Sequence, residues 1–421
     1  MAYEEIAALL GGWPGFELIG VAREGPTRDH PAPRIVLTLQ AVPGVAKTCS
    51  RCGAPVEALH DVSPREVRDL PILEAETWLV VPRARVQCPR CGPTVEAVPW
   101  LDRYQRMTTR LAEAIARLAQ VLPIKHVAQW FRVGWDTVKQ IDQRALTARL
   151  GPVDRQGLQG VRVIAIDEFA LRRGYRYATI VVDALTKRVL WVGRGSRRED
   201  LRPFFTLLGP AGCAQLEAAV MDMSGAFATE VRQHCPQAAI VYDFFHVVAK
   251  YGREVIDRVR TDETTRLARA GRPDDARTRA RRRVIKGTRW LLLRNGHTLA
   301  RHSDRVRLRE LLAANRALFV VYVLKEDLKH LWDFRYPKAA RRFWRHWARR
   351  ARASRIPALI RFARNLAARL DGVLAHCRYP YNTGLLEGIN NKIKVLKRMA
   401  YGFRDDAYFF LKIRAAFPGI P

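Results

Sequence analysis

Long apolar segments are missing from this sequence. It has no uninterrupted apolar run of about 18 residues, which a membrane-spanning helix would need. No charged segment followed by an apolar stretch comes after Met1, as a secretory leader would require. These two absences argue against a membrane-spanning or secreted protein. We therefore expect a cytoplasmic protein with no membrane partner.

Acidic residues are also scarce relative to basic ones. The chain has 41 Asp plus Glu against 73 Lys plus Arg, a formal charge of +32. Such an excess is far beyond what solubility needs, and it indicates a large polyanionic partner. Nucleic acid is the leading interpretation, and a membrane surface is its rival. Residues 251–370 carry 33 Lys plus Arg against 11 Asp plus Glu, a net +22, so we expect the main electrostatic surface there.

Cysteine is sparse and unevenly placed, since four of the seven form two close pairs and three stand alone. The odd number, without a leader, argues against a disulfide framework. CSRCG and CPRCG each put two thiolates on a tight turn, and four soft ligands suit tetrahedral zinc. We predict one structural Zn²⁺ bound by Cys49, Cys52, Cys88 and Cys91. The alternative is two unrelated pairs of reduced cysteines.

The length and the apolar content bound the organisation of the chain. The 421 residues, 48% of them hydrophobic, predict two to four domains. Short apolar segments broken by Gly and Pro, such as 34–40 and 77–81, indicate strands in the first hundred residues. From Met107 the apolar residues recur at three- and four-residue spacing, as in a helix. Segment 151–160 is interpreted as a linker.

The region after the linker reads as strand, strand, strand, helix, strand, helix, strand, with the first helix at 198–208. An Arg-rich helical region follows, and the chain ends with a helix-like run at 384–400. We therefore predict a multidomain α+β protein. Its segments are a zinc-binding module (1–105), a helical domain (106–150), an α/β core (151–250), an Arg-rich helical insertion (251–376) and a C-terminal helical part of the core (377–421).

The segment PIKHVAQWFRVGWDTVKQIDQRAL predicts a helix-turn-helix. Its first helix spans 124–131, Gly134 lies in the turn, and Asp136 is well placed to cap the second helix. Exposed side chains near the start of that helix would face a major groove: Thr137, Lys139 and Gln140. An ordinary helical hairpin is the alternative, because turn spacing alone is not specific.

Three acids carry the predicted chemistry. Asp167 ends the apolar segment VRVIAI, Asp222 ends AAVM, and Glu387 lies in the final helical run, where Asn391, Lys394 and Arg398 follow on one face. Phosphodiester cleavage needs in-line attack, which a pair of divalent cations can activate. Carboxylates select Mg²⁺ or Mn²⁺ rather than zinc. Taken singly, each acid could instead be a helix cap, a turn residue or a solvated charge.

Other acids compete for these roles. Glu168 neighbours Asp167 and would point to the opposite sheet face, and Asp183 is interpreted as a turn residue. Asp243 is the stronger competitor to Asp222, because it also follows an apolar strand and has His246 nearby. We interpret Asp243 and His246 as neighbours of the site or as purely structural residues.

These motifs resemble the bacterial insertion-sequence transposases of the ISL3 type, within the DDE superfamily of ribonuclease-H-like folds. The resemblance covers nearly the whole chain: the two cysteine motifs, the helix-turn-helix, IDEF, MDMS, YDFFHVVAK and NTGLLEGINNKIKVLKRMAYGF. It implies that Asp167, Asp222 and Glu387 are the catalytic acids, holding two Mg²⁺ or Mn²⁺ ions. It also implies a ribonuclease-H-like core interrupted by the helical insertion.

The resemblance has further implications. The zinc module and the helix-turn-helix would recognise terminal inverted repeats of double-stranded DNA, and a homodimer or larger assembly would hold both ends. The protein would associate with the nucleoid. Many DDE transposases carry a Lys seven residues after the Glu, which Lys394 matches. They also carry a Tyr and an Arg before it, but Pro380 and Thr383 stand there in this chain.

Two other functions are alternatives to a transposase. A structure-selective DNA nuclease would use the same acids, because water and a 3′-hydroxyl attack at one kind of site. A DNA-binding regulator derived from a transposase would keep the fold without the chemistry. The presence of all three acids disfavours the regulator.

Overall fold

The computed structural model describes residues 3–28, 31–172, 174, 176–270, 276–294, 301–381 and 384–420. The chain forms two compact units, the first comprising Met1–Gly151 and Arg398–Lys412 and the second Pro152–Lys397 and Ile413–Pro421. The sequence assigned all of 377–421 to the α/β core, whereas part of that segment lies in the first unit. No helix in the described ranges is long and apolar enough to cross a membrane.

The N-terminal part of the first unit is mainly a β-sheet. Its elements are α1 (Tyr3–Leu9), β1 (Phe16–Glu24), β2 (Arg34–Ala41), β3 (Lys47–Thr48), β4 (Pro55–Val56), β5 (Leu59–Ile72), β6 (Ala75–Cys88) and β7 (Gly92–Val95). The strand order is β1-β2-β6-β5, with β7 also paired to β6, while β3 and β4 form a separate hairpin. Leu37, Leu79 and Val81 are buried in the sheet core. The predicted strand at 77–81 lies in the first half of β6, which extends seven residues further, to Cys88.

Three helices follow: α2 (Thr109–Ala119), α3 (Ile124–Phe131) and α4 (Trp135–Leu150). The predicted bounds of α3 are confirmed. Gly134, and not Asp136, is the N-cap of α4, so the predicted capping role of Asp136 is wrong. The left-handed residue that ends α3 is Arg132, with φ of 52°.

Buried Asp69 fastens the sheet to helix α2. Its carboxylate accepts hydrogen bonds from Thr108 Oγ1 at 2.7 Å, Trp13 Nε1 at 3.0 Å and the Arg110 guanidinium. Burial alone would raise the pKa of Asp69, but the hydrogen bonds from Arg110 and Thr108 outweigh it and hold the pKa below its usual value. The carboxylate is therefore charged in the folded unit at neutral pH.

A second buried ion pair attaches the C-terminal segment Arg398–Lys412 to the helices of the first unit. Lys412 Nζ lies 2.9 Å from Asp142 Oδ2 of α4 and donates to Ala119 O at the end of α2 at 2.7 Å. Tyr408 Oη also donates to Asp142 Oδ2. Since Asp142 is fully buried, removal of Lys412 would leave a carboxylate charge without its counter-ion.

The second unit contains a five-stranded sheet. Its strands are β8 (Val163–Arg172), β9 (Arg176–Asp183), β10 (Val189–Arg194), β11 (Ala218–Met221) and β12 (Ala239–Tyr242), with α5 (Arg198–Gln215) and α6 (Gly225–His234) in the connections. The order is β10-β9-β8-β11-β12. β8, β9 and β10 are antiparallel, while β11 is parallel to β8 and β12. The predicted succession of strands and helices is confirmed.

Helices make up most of the remaining second unit. They are α7 (Phe244–Tyr251), α8 (Asp257–Ala270), α9 (Ala276–Gly287), α10 (Arg289–Leu293), α11 (His302–Ala314), α12 (Arg316–Lys329), α13 (Pro337–Ala353), α14 (Pro357–Ala367), α15 (Leu370–Leu374) and most of α16 (Gly384–Met399). The last helix of the chain, α17 (Asp406–Ala416), lies mainly in the first unit. Tyr251 and Trp347 donate to backbone carbonyls of α12. The helices and the sheet share one hydrophobic core, so they depend on each other for stability.

Candidate active site

Three aspartates lie at one edge of the second sheet. In the parallel pairing Ile166 is the partner of Met221, and Met221 is the partner of Tyr242. Asp167, Asp222 and Asp243 each follow one of these residues, so they are at the same level of three neighbouring strands. The prediction that Asp167 ends its strand is wrong, because β8 continues to Arg172 against β9. Only the pairing of β8 with β11 ends at Ile166.

Asp167 is half-buried and accepts two hydrogen bonds. Its Oδ1 accepts from the backbone nitrogen of Glu168 at 2.8 Å, and its Oδ2 accepts from Asn390 Nδ2 at 2.7 Å. Burial raises the pKa of Asp167, and the nearby Asp222 charge raises it further. The hydrogen bonds and His246 counter this rise only in part. A cation at this position would relieve the cost of keeping the carboxylate ionised.

Asp222 lies directly after β11 and starts a tight turn, in which its Oδ1 accepts from Ser224 N at 2.8 Å. Its charge also reaches Glu168. Partial burial raises the pKa of Glu168, a hydrogen bond with Ser196 counters this, and the Asp222 carboxylate adds to the rise. The structure therefore brings Asp167 and Asp222 close enough to interact electrostatically, with Glu168 within reach of the same field.

Asp243 has a structural task in this arrangement. It is buried and is the N-cap of α7, where its Oδ2 accepts from Phe245 N at 3.0 Å and His246 N at 3.3 Å. An N-cap carboxylate satisfies backbone N–H groups that have no partner within the helix. His246 is half-buried in the first turn of α7 and acts electrostatically on Asp167.

Glu387 lies in the first turn of α16 and is exposed. Asn390, one helical turn after Glu387, contacts Asp167. Near the end of the same helix, Lys397 Nζ donates a hydrogen bond to Ala170 O of β8 at 2.7 Å. The sequence had selected Asn391 instead, but that side chain is exposed and accepts from Lys394 Nζ at 3.4 Å.

Asn390 is thus the site residue that the sequence reasoning missed. Its spacing of three from Glu387 was the available signal, because residues three apart share a helix face. Thr383, one of the two departures from the family pattern, lies outside the described residues.

Among the described residues, side chains that can bind a metal converge most closely in the first unit. Among the described residues, the group whose ligand atoms all lie within 4.8 Å of one another is Cys49, Cys52, Cys88 and Cys91. Asp167, Asp222 and Glu387 do not form such a group. Three carboxylates that serve two cations about 3.5 to 4 Å apart need not converge on one point.

The cysteine site is built by two turns. Gly53 and Gly92 follow the second cysteine of each pair with φ of 71° and 70°, a left-handed conformation that glycine adopts without strain. Backbone hydrogen bonds from Cys52 and Arg51 lower the pKa of Cys49 to about 6, whereas hydrogen bonding with Cys52 and Cys49 raises the pKa of Cys91 to about 12. Four thiolates so close together need a cation, and four sulfur ligands suit Zn²⁺.

The predicted DNA-reading side chains of α4 differ in their surroundings. Thr137 and Gln140 are exposed. Lys139 is half-buried, with its Nζ 2.9 Å from Asp405 Oδ2. Near the end of α16, Lys394 and Arg398 are exposed. Four of these five predicted residues are therefore open to solvent, and Lys139 is held by a carboxylate.

Comparisons with known proteins match each part of the chain to a transposase. The family model described as "Transposase" matches residues 164–413, and the helix-turn-helix domain of transposase family ISL3 matches residues 96–146. The zinc-finger of transposase IS204/IS1001/IS1096/IS1165 matches residues 46–91, which include all four clustered cysteines. The chain thus contains a structural zinc-binding motif, a DNA-binding motif and a catalytic domain.

Two curated relatives extend over most of the chain. It is 49% identical over 412 residues to the transposase for insertion sequence element IS1001 of Bordetella parapertussis, covering 97% of each chain. It is 31% identical over 390 residues to the transposase for insertion sequence element IS1557 of Mycobacterium tuberculosis, covering 88% of this chain and 86% of the relative. The chain belongs to the ISL3 family of insertion-sequence DDE transposases and is an enzyme of that class.

Proposed function

We propose that this transposase binds the terminal inverted repeats of its own element, cuts the DNA at those ends and joins them to a target. Asp167, Asp222 and Glu387 are the proposed catalytic carboxylates. The observation that carries this assignment is the shared strand level of Asp167 and Asp222, together with a pKa of Asp167 that burial and Asp222 raise. Helix α16, which carries Glu387, contacts the same carboxylate.

The proposed fold of the catalytic unit is ribonuclease-H-like. An antiparallel β8-β9-β10 segment next to parallel β11 and β12 supports this class, and α8 to α15 would be the insertion before the Glu387 helix. The shared hydrophobic core implies that such an insertion is a structural part of the unit.

The proposed cofactors are two Mg²⁺ or Mn²⁺ ions for each active site. The carboxylates fit hard cations because they are oxygen donors, and a bound cation would offset the burial and the Asp222 charge that raise the pKa of Asp167. When bound, such ions activate the attacking hydroxyl group and stabilise the leaving oxygen. The protein's own part is to hold Asp167 and Asp222 at the same level of two neighbouring strands and to bring helix α16 against Asp167.

DNA contacts are proposed on both units. Thr137, Lys139 and Gln140 of α4 would read base edges or phosphates, which requires Lys139 to exchange Asp405 for DNA. Lys394 of the second unit and Arg398 of the first unit would each contact phosphates. Because both element ends must be held together for joining, we propose a homodimer or a larger assembly on the DNA.

Helix α13 supplies a basic surface in the second unit. One face buries Ala340, Trp344, Trp347, Ala348 and Ala351. The opposite face carries Arg342, Arg345, Arg349 and Arg352, which we call the α13 arginine face. All four are exposed, and none has a carboxylate within ion-pair distance in the described part of the chain. Unpaired arginines in a row are suited to a phosphate backbone.

The test is a cleavage and strand-transfer assay with the ends of the element. Glu387→Gln keeps the volume and one oxygen acceptor of Glu387 but removes its charge, so we expect loss of cleavage and joining with end binding intact. Joining by the Gln variant at the wild-type rate would refute the assignment. Cleavage without any joining by the wild-type protein would favour a nuclease.

A further inference from the structure

Asn390 has one satisfied and one unsatisfied polar atom. Its Nδ2 donates to Asp167 Oδ2 at 2.7 Å. Its Oδ1 is buried from solvent and has no hydrogen-bond partner in the described part of the chain. A buried carbonyl oxygen without a partner is costly and is uncommon in folded proteins. Its presence beside a catalytic carboxylate therefore calls for a ligand.

The chemistry of the site fixes the orientation of this amide. If the amide were reversed, Oδ1 would face the Asp167 carboxylate, and two acceptors would repel each other. Nδ2 must therefore face Asp167, and Oδ1 must point away from it. The orphaned atom is thus the oxygen acceptor of an amide whose nitrogen is bonded to an anion, and a cation would be favoured by both groups.

The identity of the missing partner follows from size and charge. A hydrogen-bonded water places its oxygen about 2.8 Å from the acceptor, whereas Mg²⁺ lies only about 2.0 to 2.1 Å from its ligand oxygens. A small cation can therefore approach an oxygen that lies too close to its neighbours to be reached by a water molecule. Amide and carboxylate oxygens are both hard donors of the kind that such cations select.

We propose that Asn390 Oδ1 is an oxygen ligand of the divalent cation that Asp167 binds, an inference that rests on the proposed metal-dependent function. Asn390 then has two tasks, since its nitrogen positions Asp167 while its oxygen binds the cation. It also lies three residues after Glu387 on the same helix face, so it determines how that face approaches β8. Lys397, bonded to Ala170 O, anchors the same helix seven residues later.

The test uses the full-length, zinc-loaded protein and Tb³⁺ as a luminescent substitute for the divalent cation. Luminescence lifetimes in H₂O and D₂O count the water molecules bound to the ion. We expect Asn390→Ala to add about one bound water and to weaken the affinity by about 10- to 100-fold, the range typical of lost supporting ligands. Asn391→Ala is the matched control, because Asn391 is an exposed neighbour, and it should change neither value.

A second variant separates the two tasks of the amide. Asn390→Asp keeps the shape and an oxygen at the Oδ1 position but loses the hydrogen bond to Asp167, so the number of bound waters should stay at the wild-type value. Unchanged hydration and affinity in Asn390→Ala would overturn the proposal. An added water in both variants would also overturn it, because Asn390 would then act only by positioning Asp167.

Failure of this inference can be told apart from failure of the proposed function. Glu387→Gln and Asp167→Asn should each weaken Tb³⁺ binding at the same site. If they do and Asn390→Ala does not, only the role of Asn390 is wrong. If neither carboxylate variant affects binding, the proposed metal site itself is wrong. Circular dichroism melting of each variant checks that the second unit remains folded.

Discussion

The α13 arginine face allows a quantitative prediction about salt. Each phosphate that a cation neutralises contributes about −0.9 to the slope of log K against log salt concentration for duplex DNA. Arg342, Arg345, Arg349 and Arg352 are exposed on one side of α13. If all four contact phosphates, their replacement by Gln should make the slope shallower by up to about 3.6. Since the opposite face carries the packing, the fold should survive.

The assay is a titration of fluorescent end DNA with the protein at several salt concentrations. Arg341 and Arg350 provide the matched control, because they are also exposed on α13 but form ion pairs with Asp371 and Asp327. Their replacement by Gln should change the slope little. A fourfold variant that keeps the wild-type slope would show that DNA does not bind along this face.

Three further predictions concern the first unit. Cys88→Ser should release zinc and unfold the cysteine turns, as measured by metal content and proteolysis, and full zinc content in the variant would contradict the four-cysteine site. Because the pKa of Asp69 is lowered in the folded unit, its carboxylate stabilises the fold above the unfolded pKa of about 3.9, and this stabilisation is lost as pH falls through the folded pKa. The difference in free energy of unfolding between wild type and Asp69→Asn, measured with denaturant, should therefore shrink in acid. Lys412→Met leaves buried Asp142 without its counter-ion and should destabilise the unit by about 3 to 5 kcal/mol, seen as faster hydrogen exchange in α2 and α4. Wild-type exchange rates would refute the last expectation.

Local patterns were sufficient for much of the fold. The bounds of α3 followed from apolar spacing, and the succession of strands and helices in the second unit followed from alternating apolar runs. The cysteine cluster followed from ligand type and spacing alone, because the Cys-x-x-Cys turn is a local structure.

Contacts between distant segments could not be predicted in this way. The pairing of Asp142 with Lys412 joins residues 270 positions apart, and no local signal marks it. Likewise, whether Asn390 or Asn391 meets Asp167 depends on how α16 is rotated against β8, and only packing determines that rotation. The same limitation applies to Lys139, whose carboxylate partner Asp405 is far away in the sequence.

The choice between Asp222 and Asp243 is the most direct test of the catalytic assignment. Asn caps helices about as well as Asp, so Asp243→Asn should keep the N-cap of α7 and retain cleavage and strand transfer to within a few-fold. Asp222→Asn removes the charge that interacts with Asp167.

The deciding measurement is a side-by-side assay of cleavage and strand transfer by these two variants in Mg²⁺, with end binding measured in parallel. We predict that Asp222→Asn binds the ends but neither cuts nor joins them, while Asp243→Asn does both. An inactive Asp243→Asn together with an active Asp222→Asn would contradict the proposed carboxylate triad.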